Sequence, residues 1–200
     1  MKKYIRYKRI LDIIFSLIGL LVLSPVFLLI IIAIMIESKG NVLFKQKRIG
    51  KNKVYFNILK FRTMRIDTPK DVPTHLLKTP EAFITKTGKF LRKTSLDELP
   101  QLINILKGDM SFIGPRPALW NQYDLIDARE SLGVNNIFPG LSGWAQVNGR
   151  DELPIDVKAE LDGVYVKKMS LFFDIKCLIR TLLIILTGRG NNEGTSEDIR

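Results

Sequence analysis

KTSLDELPQLINILKGDMSFIGPRP, residues 93–117, sets two adjacent carboxylates, Asp97 and Glu98, at the start of an apolar-striped segment. Leu99, Leu102, Ile103 and Leu106 recur at helical spacing, and Gly108 is a good C-terminal stop. The spacing predicts a helix whose first turn holds both carboxylates beside its unpaired N–H groups. Carboxylates and bound phosphates are both stabilised at such an end. Pro115-Arg116-Pro117 then pins an arginine between two residues of fixed φ. Ser95 and Glu98 also have the spacing of a capping box, and Asp97 could itself be the N-cap with Pro100 tolerated in the first turn. Helix capping alone accounts for the acidic pair, so its meaning depends on what the rest of the chain brings to it.

The chain of 200 residues suits one domain with a real core. Its 31 Lys and Arg against 20 Asp and Glu give a formal net charge of +11. That excess favours anionic partners: nucleic acid, an anionic membrane face or phosphorylated substrates. Cys177 is the only cysteine, which excludes an intrachain disulfide and a Cys-based zinc site. His75 is the only histidine, set in a Pro-rich polar stretch, so a His-rich metal site and a His–His relay are excluded too.

Residues 1–9 are basic, whereas residues 13–36 carry no charge at all. Those 24 residues could cross a hydrocarbon core of about 30 Å as one helix. Ser24-Pro25 falls at the midpoint, where proline removes a backbone hydrogen bond and bends the helix. Both flanks are basic, with Lys39, Lys45, Lys47, Arg48, Lys51 and Lys53 following the run. Basic flanks prefer the cytoplasmic face. A helix that enters the membrane, breaks at Ser24-Pro25 and returns satisfies both features, while a single kinked span satisfies the length. No small-x-small cleavage site follows the run, so it reads as retained.

Residues 42–44 and 54–61 read as strands around the turn-forming Gly50-Lys51-Asn52, which makes a short β-hairpin. On its far arm Lys60 and Arg62 share one face. Residues 67–80 contain three prolines and read as a surface loop. Residues 83–93 form a short basic amphipathic helix suited to a membrane interface, leading through Arg92 to the carboxylates. A helix over residues 118–132 ends at Gly133, and residues 139–150 form a Gly-rich loop in which Gln146, Asn148 and Arg150 could hydrogen-bond a ligand. Residues 156–168 are helical. Residues 171–186 are strongly apolar but short for a span, so they form a helix lying on the membrane or the core. The polar end of the chain frays. The expected architecture is α+β: a re-entrant membrane helix over residues 1–40, one small catalytic domain over 41–188 and a tail over 189–200.

The chain has neither a dinucleotide G-x-G-x-x-G nor a phosphate-loop G-x-x-x-x-G-K. A carboxylate pair that meets a phosphorylated substrate needs a counter-charge, from arginines or from a divalent cation. Aspartate can accept a phosphoryl group as a nucleophile, and magnesium is the usual partner of a carboxylate–phosphate site. At these residues the chain resembles the bacterial monotopic phosphoglycosyl transferases, the small initiating sugar transferases of capsule, exopolysaccharide and glycoprotein assembly. The matching segments are Lys60-Phe61-Arg62-Thr63-Met64, Ser95 to Leu102, Lys107 to Ser111, Gly114-Pro115-Arg116-Pro117, Pro139-Gly140 to Arg150, and the Ser24-Pro25 break. They cover nearly the whole chain in order; residues 67–80 and the tail diverge.

The resemblance implies transfer of a sugar-1-phosphate from a UDP-sugar to undecaprenyl phosphate, with release of UMP. The family's Asp-Glu dyad falls on Asp97 and Glu98. Asp97 would form a covalent phosphosugar intermediate and touch Mg²⁺, while Glu98 would act as acid/base or position the groups. Arg116, Arg92, Lys60 and Arg62 become candidate phosphate contacts, and Gln146, Asn148 and Arg150 candidate nucleotide-sugar contacts. The resemblance also implies a monotopic protein on the cytoplasmic face of the bacterial inner membrane. Its partners there are membrane lipid and not nucleic acid, with a second copy of the chain and downstream glycosyltransferases as further candidates. A different class of reading, a non-catalytic membrane-anchored module that binds anionic lipid or nucleic acid, would keep Asp97-Glu98 as a cap. It leaves Pro115-Arg116-Pro117 and the loop at 139–150 without a purpose.

Overall fold

The computed structural model describes residues 2–66, 68, 80–149 and 153–187 of the chain. They form a mixed helix-and-sheet domain in which long helices frame two very small sheets. Most of the loop expected at 67–80, the tail 189–200 and Arg150 lie outside the described residues.

Helix α1 (Lys2–Val22) and helix α2 (Ser24–Glu37) meet at Leu23 with a bend of 61°. Pro25 sits in the first turn of α2, where its missing N–H costs nothing, and Ser24 Oγ donates to Leu21 O at 2.8 Å. Among the described residues no single helix is long and apolar enough to cross a membrane; the bent pair taken together has the length and apolar composition for it. One face of each helix packs inward. Ser16 of α1 is fully buried, and Gly19 lies against Leu102. Ile30 and Ile34 of α2 form a core with Phe61 and Leu91. The outer faces expose Ile14, Phe15, Leu21, Val22, Leu28, Leu29 and Ile36.

Strands β1 (Leu43–Ile49) and β2 (Tyr55–Phe61) form the expected antiparallel hairpin, with Leu43 opposite Phe61 and Ile49 opposite Tyr55. Asn52 and Lys53 take positive φ to close it. Helix α3 (Lys86–Thr94) begins where the Glu37 carboxylate accepts from Lys86 N at 2.6 Å and Thr87 N at 2.9 Å, and Thr85 Oγ1 accepts from Gly88 N. A Cβ on Gly88 would stand 2.0 Å from Thr63 O, so only glycine lets α3 lie this close to the chain leaving β2. Helix α4 (Gln101–Lys107) stops at Gly108, whose φ of 94° ends it in the left-handed region. It is shorter than expected and buries Gln101, Leu102, Asn104 and Ile105.

Two further strands escaped the sequence reading: β3 (Ser111–Ile113) and β4 (Gly140–Ser142), paired in parallel. Helix α5 (Tyr123–Glu130) starts later than expected because Ala118 and Leu119 belong to the hairpin: Ile49 N donates to Ala118 O at 2.9 Å, and Arg48 and Leu119 form an antiparallel bridge. Helices α6 (Ile155–Lys168) and α7 (Leu171–Thr187) fall where the sequence placed them. Tyr4 and Tyr165 donate to Asp174 at the start of α7, and Lys8 pairs with it, which ties α1 to α7.

Candidate active site

Asp97 and Glu98 do not lie in the first turn of α4. They occupy a separate 3-10 turn, Leu96–Glu98, between α3 and α4. Ser95 explains the difference. It takes the left-handed conformation (φ 57°) and donates its N–H back to Arg92 O, which terminates α3. Its side chain makes no capping bond, so the expected capping box is absent, and the N-cap of α4 is Pro100 and not Asp97. With capping removed as the reason for the acidic pair, its surroundings decide what it does.

Those surroundings are cationic. Lys60 Nζ, at the end of β2, donates to Glu98 Oε1 at 2.7 Å and lies 3.9 Å from Asp97 Oδ2. Arg116 Nη1 lies 3.8 Å from the same Glu98 oxygen. Four of the predicted residues, drawn from β2, the 3-10 turn and the Pro-Arg-Pro segment, thus converge. The Asp97 side chain is 11% exposed and that of Arg116 33%, so the acidic end is recessed while the guanidinium reaches toward solvent. At this depth charges interact more strongly than in bulk water.

The convergence is enforced by polar bonds behind it. Asn104 of α4 accepts from Leu59 N at 2.9 Å and donates to Asn57 O at 2.9 Å. This satisfies the edge of β2 turned away from β1 and locks Lys60 in register with the 3-10 turn. Phe61, packed edge-on against Phe27 of α2 with ring centroids 5.3 Å apart, fixes the strand end from the other side.

The other described candidates make further bonds of their own. Arg62, 8% exposed, donates to Lys39 O, Ser38 O and Ser38 Oγ at 2.7–2.9 Å, clamping the C-terminus of α2. Arg92 donates to Thr63 Oγ1 at 3.1 Å, beside that clamp. Gln146 and Asn148 lie on a 3-10 turn against α7. Gln146 Nε2 donates to Leu141 O, and Asn148 bridges Trp144 O and Arg180.

Residues that sequence reasoning missed hold the Pro-Arg-Pro segment. Arg129 of α5 donates Nη1 to Arg116 O at 3.1 Å, and its Nε and Nη2 to Asp162 Oδ2 at 3.0 and 2.5 Å. Arg48 Nη1 donates to Pro117 O at 3.0 Å, and Gly140 N to Pro115 O at 2.8 Å. Burial pushes the Asp162 carboxyl above its ordinary value, while Arg129 pulls it back. No signal in the sequence pairs residues this far apart.

For a divalent cation, the donors are the two hard carboxylates of the pair. Among the described residues no group of three or more His, Cys, Asp or Glu could hold a metal ion. That set cannot build an all-protein cage, but it fits magnesium, which keeps several waters and binds through one or two carboxylates plus substrate phosphates.

Comparison with known proteins identifies the family. The description "bacterial sugar transferase" matches residues 3–188. The sugar transferase EpsL of Bacillus subtilis, itself uncharacterized, is 39% identical over 183 residues, covering 92% of this chain and 89% of that protein. An uncharacterized sugar transferase of Haemophilus influenzae is 39% identical and covers 92% of the chain. The UDP-glucose:undecaprenyl-phosphate glucose-1-phosphate transferase of Escherichia coli is 39% identical and covers 88%. The chain spans only 41% and 39% of the lengths of these last two. The match takes in the bent helix pair, the acidic turn and the Pro-Arg-Pro segment together, and the chain belongs to the bacterial sugar transferase family.

Proposed function

We propose that the protein transfers a sugar-1-phosphate from a UDP-sugar to undecaprenyl phosphate, the first step in assembling a polysaccharide or glycoconjugate. The observation that carries the reading is the recessed Asp97-Glu98 pair facing Lys60 and Arg116. The activity for which the Escherichia coli relative is named supports the same donor and acceptor classes.

In this reading an Asp97 carboxylate oxygen attacks the sugar-bearing phosphorus of the donor. The bond from that phosphorus to the bridging oxygen breaks, and UMP leaves with the bridging oxygen. The sugar phosphate is then an acyl phosphate on Asp97, and a phosphate oxygen of the polyprenyl carrier displaces it, restoring the carboxylate. Lys60 and Arg116 hold the charge that shifts among the phosphate oxygens, and the stiff flanking prolines keep the guanidinium aimed in one direction. Glu98, bonded to Lys60, positions that cation and can pass a proton to the reacting oxygens. Asp97 and Glu98 would hold magnesium, which when bound supplies charge neutralisation at the diphosphate.

Location follows from the carrier. A polyprenyl phosphate confines the reaction to headgroup depth, and the UDP-sugar is a soluble anion on the cytoplasmic side. We read α1 and α2 as a re-entrant hairpin broken at Ser24-Pro25, with both ends cytoplasmic. The 61° bend and the exposed apolar outer faces support that arrangement. Purified protein with UDP-sugar, Mg²⁺ and undecaprenyl phosphate should release UMP, and Asp97→Asn should abolish release. Undiminished release from Asp97→Asn would remove Asp97 from the nucleophile's role.

A further inference from the structure

Arg129 and Asp162 form an ion pair that nothing in the chemistry above requires. Their side chains are 1% exposed for Asp162 and 6% for Arg129. Such a pair is poor support for stability, because the desolvation of two charges offsets most of their attraction and apolar residues of similar volume often do as well. Its geometry shows a different use. Two of the three guanidinium nitrogens are taken by one Asp162 oxygen, and the third, Nη1, points at the carbonyl of Arg116. That carbonyl belongs to the residue whose side chain reaches Glu98 from the opposite end.

The remaining backbone bonds of the segment come from three other directions: Arg48 to Pro117 O, Gly140 to Pro115 O, and Ser142 O accepting from Gly114 N. Prolines at 115 and 117 cannot donate, so the segment has only carbonyls with which to be held on either side of Arg116. Asp162 fixes the plane of the Arg129 fork, and the fork fixes the Arg116 peptide.

We propose that Arg129, oriented by Asp162, is a positioning residue for the reaction: it sets the direction in which the Arg116 guanidinium meets the substrate phosphates. This rests on the reading of Arg116 as a phosphate contact given above. Misplacing a group by about 1 Å can cost roughly a hundredfold in rate, so losing the clasp should lower kcat/KM for the UDP-sugar by about ten- to a hundredfold.

The test is a mutant cycle on UMP release in the full-length protein. Arg129→Met/Asp162→Val removes both buried charges together and stays close to the original volume, so the domain has no lone buried ion to unfold it. Arg116→Ala is the second arm, and the triple variant closes the cycle. If the clasp works through Arg116, the triple variant is no slower than Arg116→Ala alone. If the losses multiply, Arg129 acts only through general structure and the proposal is overturned while the reading of Arg116 survives. If Arg116→Ala retains full kcat/KM, both fall together. Should the apolar pair fail to fold, Arg129→Lys serves in the same cycle: it keeps the charge opposite Asp162 and loses the fork. The expected result is the same non-multiplying loss.

Discussion

Replacing Asn104 by alanine tests how the site is assembled. The side chain is 2% exposed and makes three bonds: it accepts from Leu59 N, donates to Asn57 O and donates to Asp109 Oδ2. Alanine leaves the buried Leu59 N–H without its partner, at a cost of about 1–3 kcal/mol, whereas the carbonyl of exposed Asn57 can turn to water. The middle of that range gives a loss of about 2 kcal/mol. For a chain of this size each kcal/mol moves the midpoint by about 2–4 °C, so thermal unfolding should drop by roughly 6 °C. Lys107→Ala, at an exposed position on the same helix, should stay within about 0.5 kcal/mol of the parent. Hydrogen exchange at Leu59 N–H should accelerate in Asn104→Ala, and UMP release should fall because Lys60 loses its register. A midpoint within about 3 °C of the parent, with Leu59 protection unchanged, would refute the role given to this side chain.

Burial and the neighbouring Asp174 push the Cys177 thiol up to about 11. At pH 7 only about one molecule in 10⁴ would carry the reactive thiolate, so a disulfide-exchange reagent should label the native protein very slowly and the denatured protein readily. Fast native labelling would contradict the packing of α7. Glu37 should act as the cap of α3: Glu37→Ala is expected to cost about 1 kcal/mol, seen as a lower unfolding midpoint. Burial alone would raise the Glu37 carboxyl, but bonds from Thr87 and Lys86 hold it below its ordinary value. A depressed carboxyl stabilises the fold above its unfolded value, so this contribution is present at neutral pH. It is lost as the pH falls through about 4 and below. The parent and Glu37→Ala should therefore converge in acid, and a constant gap down to pH 3 would remove the charge from the explanation.

Local chemistry made much of this fold legible. Gly50-Lys51-Asn52 marked the hairpin, the apolar run at 171–186 marked α7, and Ser24-Pro25 marked the bend. The adjacent carboxylates and the proline-pinned arginine stand out in the sequence, the family resemblance makes Lys60, Asp97, Glu98 and Arg116 site candidates, and the structure brings these four together. What was not legible depends on contacts between distant parts of the chain. Strands β3 and β4 are three residues each, too short to leave a periodic signal, and their pairing spans the whole of α5. The buried face of α4 is wider than its apolar stripe because Asn104 and Gln101 are buried polar residues, and a hydrophobic pattern counts them as outward-facing. Ser95 looked like a cap, yet its left-handed backbone ends α3 instead. Arg62 looked like a phosphate contact because it shares a motif with Lys60; the structure turns it onto the carbonyls at the end of α2.

The central claim is that Asp97 carries the sugar phosphate between donor and carrier. Isotope-labelled UMP, incubated with unlabelled UDP-sugar, Mg²⁺ and protein in the absence of any polyprenyl phosphate, tests it directly. Two-step transfer through Asp97 predicts that label enters the UDP-sugar, and that Asp97→Asn shows no exchange. If labelled UDP-sugar forms only when the lipid carrier is present, transfer occurs in one step and the account of Asp97 is contradicted.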